Sequence, residues 1–122
     1  MRLIGTTLIY PTVTYSPWFP RSGDAATFVL EMLTTTISND TDFVVEVETK
    51  NSEDDDGSPT SIAFPAITVP SNPTDVFRVL KRVDELLELV RFKFSWGVSP
   101  DPTPSAGTFV FFRVLPPMWE FN

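Results

Sequence analysis

Along Leu89-Val90-Arg91-Phe92-Lys93-Phe94-Ser95-Trp96, apolar and polar side chains alternate. A period of two sends alternate side chains to opposite faces of a sheet, so Phe92, Phe94 and Trp96 share one face and Arg91, Lys93 and Ser95 the other. Thr108-Phe109-Val110-Phe111-Phe112-Arg113-Val114-Leu115 alternates more loosely, beyond the Pro/Ser/Gly stretch Gly97–Gly107. The two runs read as an antiparallel hairpin at the heart of a β-sandwich. Phe43 to Lys50 is the cleanest half-buried strand, with Phe43, Val45 and Val47 inward and Glu46, Glu48 and Lys50 outward. Thr27–Ile37 fits a helix or a strand by apolar spacing. The β-branched residues Thr34, Thr35, Thr36 and Ile37 at its end favour the strand. Leu3–Tyr10 and Thr12–Tyr15 read as short extended pieces, and Ile62–Val69 as a strand confined by Pro65 to an edge or a bulge. Ser38–Asp42 reads as a turn and Asn51–Pro59 as a solvated acidic loop.

Two stretches depart from this pattern. Val76, Val79, Leu80, Val83, Leu86, Leu87 and Val90 fit a helical period, with Thr74-Asp75 as its cap. The rival is a strand over Asp75–Val83 turning at Asp84-Glu85 into the next one. The neighbouring strands favour this second reading, with at most one short helix near 82–88. The other departure is a pair of proline-stiffened aromatic segments. Ser16-Pro17-Trp18-Phe19-Pro20-Arg21-Ser22-Gly23 cannot be regular structure, because proline removes donors and biases its neighbours, and Pro116-Pro117-Met118-Trp119-Glu120-Phe121-Asn122 reads as a second aromatic, proline-stiffened arm. Their rings need cover. Either they close the ends of their own sandwich, or they act as arms, 1–23 and 116–122, that reach a neighbouring subunit. Trp18, Phe19, Met118, Trp119 and Phe121 are therefore the candidate partner-binding residues. The outline is one all-β domain over 1–122: an antiparallel β-sandwich, jelly-roll-like, of about seven or eight strands, with a closed up-and-down barrel as runner-up.

Composition narrows the function. Eleven Phe and three Trp supply a core, and twelve Pro in 122 residues, about twice the ~5% average, suit many short strands with stiff loops. A net charge of −7 argues against a nucleic-acid binder or an anionic membrane surface. With no cysteine and no histidine, disulfides, the commonest general base and the usual zinc ligands are missing. Met1 to Thr7 has no sustained apolar core, so it is not expected to be a signal peptide, and the sequon Asn39-Asp40-Thr41 carries little weight.

Candidate chemistry is thin. Glu53-Asp54-Asp55-Asp56-Gly57 holds oxygens enough to suggest calcium, but its spacing is not that of an EF-hand and consecutive carboxylates cannot all face one ion. Glu46 and Glu48 share a strand face about 7 Å apart, a spacing compatible with the paired carboxylates of a glycosidase, though nothing marks a cleft. There is no nucleophile elbow, Walker loop or dinucleotide fingerprint. A hydroxyl nucleophile would need a lysine base, and Lys50, Lys81 and Lys93 all read as exposed. The expectation is no enzyme, no cofactor, no metal and no small-molecule substrate. Arg91, Lys93 and Arg113 would form a basic stripe if the hairpin exists. That stripe could meet acidic surface of a second copy or pair internally with Glu46 and Glu48.

At Val45-Glu46-Val47-Glu48-Thr49-Lys50-Asn51-Ser52-Glu53-Asp54, at Leu89-Val90-Arg91-Phe92-Lys93-Phe94 and at Phe112-Arg113-Val114-Leu115-Pro116-Pro117-Met118-Trp119-Glu120, the chain resembles small β-sandwich virion proteins of tailed phages and prophages. The resemblance implies a structural component of the virion, assembled in the host cytoplasm. Its role would be capsid decoration, cement or minor capsid protein, with capsid or other virion proteins and its own copies as partners. A carbohydrate-binding β-sandwich module, using its aromatics as a sugar platform, is the alternative.

Overall fold

Period-two alternation prevails in the computed structural model, which describes residues 3–9, 12–36, 41–63, 77–98 and 109–121. These residues form ten strands and no helix: β1 (Leu3–Ile9), β2 (Thr14–Tyr15), β3 (Phe19–Pro20), β4 (Ala25–Thr36), β5 (Thr41–Lys50), β6 (Thr60–Ala63), β7 (Phe77–Val83), β8 (Leu89–Val98), β9 (Phe109–Val114) and β10 (Met118–Glu120). All pair antiparallel, in two sheets. In the first, β9 lies between β1 and β4, β10 continues β9 along the same edge of β4, and β7 takes the other edge. In the second, β8 lies between β5 and the β2/β3 edge, with β6 outside β5. Counting β2 with β3 and β9 with β10 as single interrupted strands, the sheet orders become 1-8-3-6 and 2-7-4-5. That is the jelly-roll arrangement of a β-sandwich.

The inward faces meet in a core rich in phenylalanine. Phe28, Phe43, Phe92, Phe94 and Phe112 are fully buried, with Leu8, Leu30, Met32, Val45, Val47, Val90 and Val110 around them. Rings from opposite sheets interlock: Phe94 lies 4.8 Å from Phe112, Phe43 5.0 Å from Phe112, and Phe28 stands edge-on to Phe92 at 5.4 Å. Such pairs contribute about 0.5–1.5 kcal/mol beyond their buried area.

This packing corrects the expected hairpin. β8 and β9 belong to different sheets and face each other across the core. Alternation shows which side of a strand is apolar, not which strand lies beside it. Two-to-five-residue loops make hairpins, whereas residues 99–108 are long enough to cross between layers about 10 Å apart. The ambiguous stretch also resolves into strands. Phe77–Val83 is β7, and no helical turn follows at 82–88: Arg82 and Val83 finish the strand and Glu85 adopts a left-handed φ of 57°. The backbone there bonds to other segments rather than to itself. Leu86 N–H donates to Asp24 O (3.0 Å) and Leu87 N–H to Thr49 Oγ1 (2.8 Å), while the Leu86 side chain plugs the core. Most of the turn expected at Ser38–Asp42, the Pro65 end of the strand over Ile62–Val69, and the Thr74-Asp75 cap lie outside the described residues.

Candidate functional site

The two aromatic, proline-rich segments are built alike. Thr14 and Tyr15 pair with Phe94 and Lys93; pairing lapses around Pro17 and resumes where Phe19 meets Val90. Ser16 bridges the gap: its N–H donates to Phe92 O (2.9 Å), and Phe92 N–H donates to Ser16 Oγ (2.8 Å). At the other terminus Leu115 N–H donates to Val29 O (2.9 Å), Pro116-Pro117 interrupt the ladder, and Met118–Glu120 resume it against Thr27–Ala25. In both places a residue without an N–H splits a strand in two but does not detach it.

The segments converge at one end of the sandwich. Phe19 is buried and stands edge-on to Trp119 at 6.4 Å, and Trp119 in turn lies 6.3 Å from Phe28. Gly23 packs against the β10 backbone so closely that a Cβ there would lie 2.6 Å from Glu120 O. Of the five candidate residues, the structure thus brings Phe19 and Trp119 together at the core. Trp18 goes elsewhere, onto the outer face of the second sheet. Met118 and Phe121 face solvent, 52% and 81% exposed.

On that outer face, charges are paired across strands. Arg91 stands opposite Glu48 on β5 and its Nε donates to Glu48 Oε1 (2.6 Å); Lys93 stands opposite Glu46, with a looser contact of 3.8 Å. The Arg91 guanidinium lies 4.3 Å from the Tyr15 ring centroid and 4.4 Å from that of Trp18. Lys50 is also against Trp18, at 5.1 Å. It is not the exposed lysine its alternation suggested: only 6% of it is exposed, with its ammonium donating to Asp54 O (3.0 Å) and paired with Asp56. Lys50 holds the Asp56 carboxyl below the usual aspartate range. Trp18 caps this cluster, though its shielded indole N–H has no acceptor among the described residues.

The first sheet's outer face is different. At its centre Glu31, 3% exposed, accepts from Arg78 Nε on β7 (2.9 Å) and Arg113 Nε on β9 (2.6 Å). Arg78, and then Arg113, hold its carboxyl below the usual glutamate range against the opposing effect of burial. The next row of the pleat is apolar: Leu80, 55% exposed, opposite Val29 on β4, with Leu115 bonded to Val29 from the far side. Beyond it, Arg82 stands opposite Thr27, as does Met118, and Arg82 pairs with Glu120 (2.8 Å) and Asp84.

Among the described residues the carboxylates of Glu46, Glu48, Asp54, Asp55 and Asp56 are engaged with cations or backbone. Glu46 and Glu48 each sit against their own cation. In the acidic loop, Asp54 accepts from Asn51 N–H (2.9 Å), Asp55 from Gly57 N–H (3.0 Å), and Asp56 is paired with Lys50. Among the described residues no group of three or more acidic side chains is placed to hold a metal ion. The residues that sequence reasoning missed are Leu80 and the Arg78–Glu31–Arg113 triad. A usable signal existed, since Arg78, Leu80 and Arg82 are in phase on a strand, but the competing helical period hid it. Compared with known proteins, the chain matches no family model and no curated sequence.

Proposed function

We propose that the protein acts by fitting against other protein, as a non-enzymatic virion component that coats, cements or joins capsid subunits. One observation carries the mode of action: Leu80, Met118 and Phe121 present exposed apolar side chains from backbone tied into, or directly following, paired strands. Anchors held this way lose little conformational freedom on binding, and a few side chains at the centre of an interface carry most of its energy. The virion setting is supported by the resemblance in the strand runs and the Pro-Pro-Met-Trp ending, and by a jelly-roll topology that capsid proteins share with lectins. The carbohydrate-binding alternative would draw on Tyr15 and Trp18. Each of those rings already has the Arg91 guanidinium against it, so assembly is the better-supported reading.

The test is co-sedimentation with empty capsids encoded beside this gene. The double variant Met118→Ser/Phe121→Ser is expected to keep its melting temperature and to bind roughly tenfold more weakly or worse. Unchanged capsid binding by that variant overturns the reading. Glycan-array binding lost on Trp18→Ala would replace it with the sugar binder.

A further inference from the structure

Three rows across the first sheet's outer face follow one another along the strands. Arg78, Glu31 and Arg113 form the first, so two cations share one carboxylate. Leu80, Val29 and Leu115 form the second, uncharged. In the third region Arg82 is one cation between two carboxylates, Asp84 and Glu120, with Met118 beside it. The face is an apolar strip with an excess of positive charge at one end and of negative charge at the other.

We infer that this face is where two copies of the chain pack, sheet on sheet. A half-turn about an axis lying in the contact plane and running across the strands near Val29 places each end of the strip over the opposite end of the other copy. Arg113 of each copy then faces the Glu120 region of the other, and the Leu80–Val29–Leu115 rows close on each other. A half-turn about an axis along the strands would instead stack like charge on like, which is costly. The patch is thus self-complementary in the sense a two-fold interface requires.

Its size fits as well. The face is three strands wide over most of the twelve residues of β4, about 15 Å by 40 Å and on the order of 600 Å². That is at the lower end of the roughly 600–1,000 Å² that each partner contributes to a stable interface. The composition fits in part: three arginines and the aliphatic Leu80, Val29 and Leu115 suit an interface, and the carboxylate at the centre, Glu31, is already paired with two of those arginines. The other outer face exposes an apolar ring too, Tyr15 at 48%, but its cations are matched one to one, so it has no opposite charges at its two ends.

The inference deepens the assembly reading by naming the partner of one face, and it rests on that reading only for action through protein contact. The test uses the full chain. Light scattering after size exclusion is expected to show a dimer at micromolar concentration. Leu80→Glu, on an exposed side chain of an edge strand, should weaken the dimer by roughly tenfold or more with its circular dichroism and melting temperature kept. The protein has no cysteine, so a disulfide in a single-cysteine variant must join two copies. Leu80 lies on the axis, and Leu80→Cys is expected to cross-link far faster on mild oxidation than Tyr15→Cys on the opposite face. A monomeric wild type, a Leu80→Glu variant that dimerises normally, or equal cross-linking of the two cysteine variants overturns the inference. A dimer that ignores capsids sinks the virion reading alone; a monomer that binds them sinks only this one.

Discussion

The second sheet's outer face is finished by its own chain, with Glu48 against Arg91, Lys50 against Asp56, and Tyr15 and Trp18 folded over the cations. The first sheet's outer face keeps Glu31 buried between two arginines but leaves Leu80 and Met118 in solvent. Both faces obey the same alternation, and the difference lies in what covers them. The Ser16–Pro20 segment cannot continue as an unbroken edge strand, so Trp18, in the gap, is free to turn over the sheet beside it. The corresponding break at Pro116-Pro117 lies between β9 and β10 along one edge of β4, and Trp119, in the ladder that resumes after it, turns inward instead. The tryptophan that falls in the gap, Trp18, supplies cover for the outer face; the one that falls in the resumed ladder, Trp119, supplies core.

The sharpest way to break this contrast is to remove the cation beneath Trp18. Arg91→Met strands a largely buried Glu48 carboxylate and is expected to destabilise the fold by about 3 kcal/mol or more, read by urea unfolding. The double variant Arg91→Met/Glu48→Leu should recover most of that loss; if it does not, the cost lay in packing rather than in the unpaired charge. Next in size, Trp18→Ala uncovers the cluster and should cost about 2 kcal/mol. Trp18→Phe, which deletes the unpaired indole N–H while keeping a ring, should cost clearly less.

Acid probes the other face. Glu31 has its native pKa lowered below 4.5, so its contribution is fully present above that value and is lost as pH falls through the native pKa. Thermal melts of the wild type should decline steadily below about pH 4.5, and Glu31→Gln should flatten that decline while lowering stability at neutral pH. A variant that melts with an unchanged acid profile would show that the arginines leave the carboxyl unperturbed. Smallest, and of opposite sign, Glu85→Gly relieves a left-handed backbone position and is expected to stabilise the protein by up to about 1 kcal/mol. No gain would mean that the folded chain tolerates that geometry without strain.

Much of the fold was legible along the chain. Phe43, Val45, Val47, Phe92 and Phe94 all face inward as their alternation indicated, and the described part of the Thr27–Ile37 run, to Thr36, is a strand as its threonines indicated. Less of the candidate site was legible. Lys50 reads as exposed because an outward strand position normally meets water, and nothing local announces that a loop four to six residues on will return to cover it. Phe19 and Trp119 sit a hundred residues apart in sequence, in segments that look alike, so their meeting at one end of the sandwich could not be read from either.

What the sequence determined by itself is which side chains turn inward, because pleating enforces a period of two whatever the strand's neighbours are. What the tertiary structure decided is who the neighbours are. Backbone hydrogen bonds are the same for every residue but proline, so they carry little information about partners. It took the core's phenylalanines to set β8 across from β9 rather than beside it, and bonds donated by the Leu86 and Leu87 N–H groups to Asp24 and Thr49 to hold the stretch after β7 away from its helical alternative.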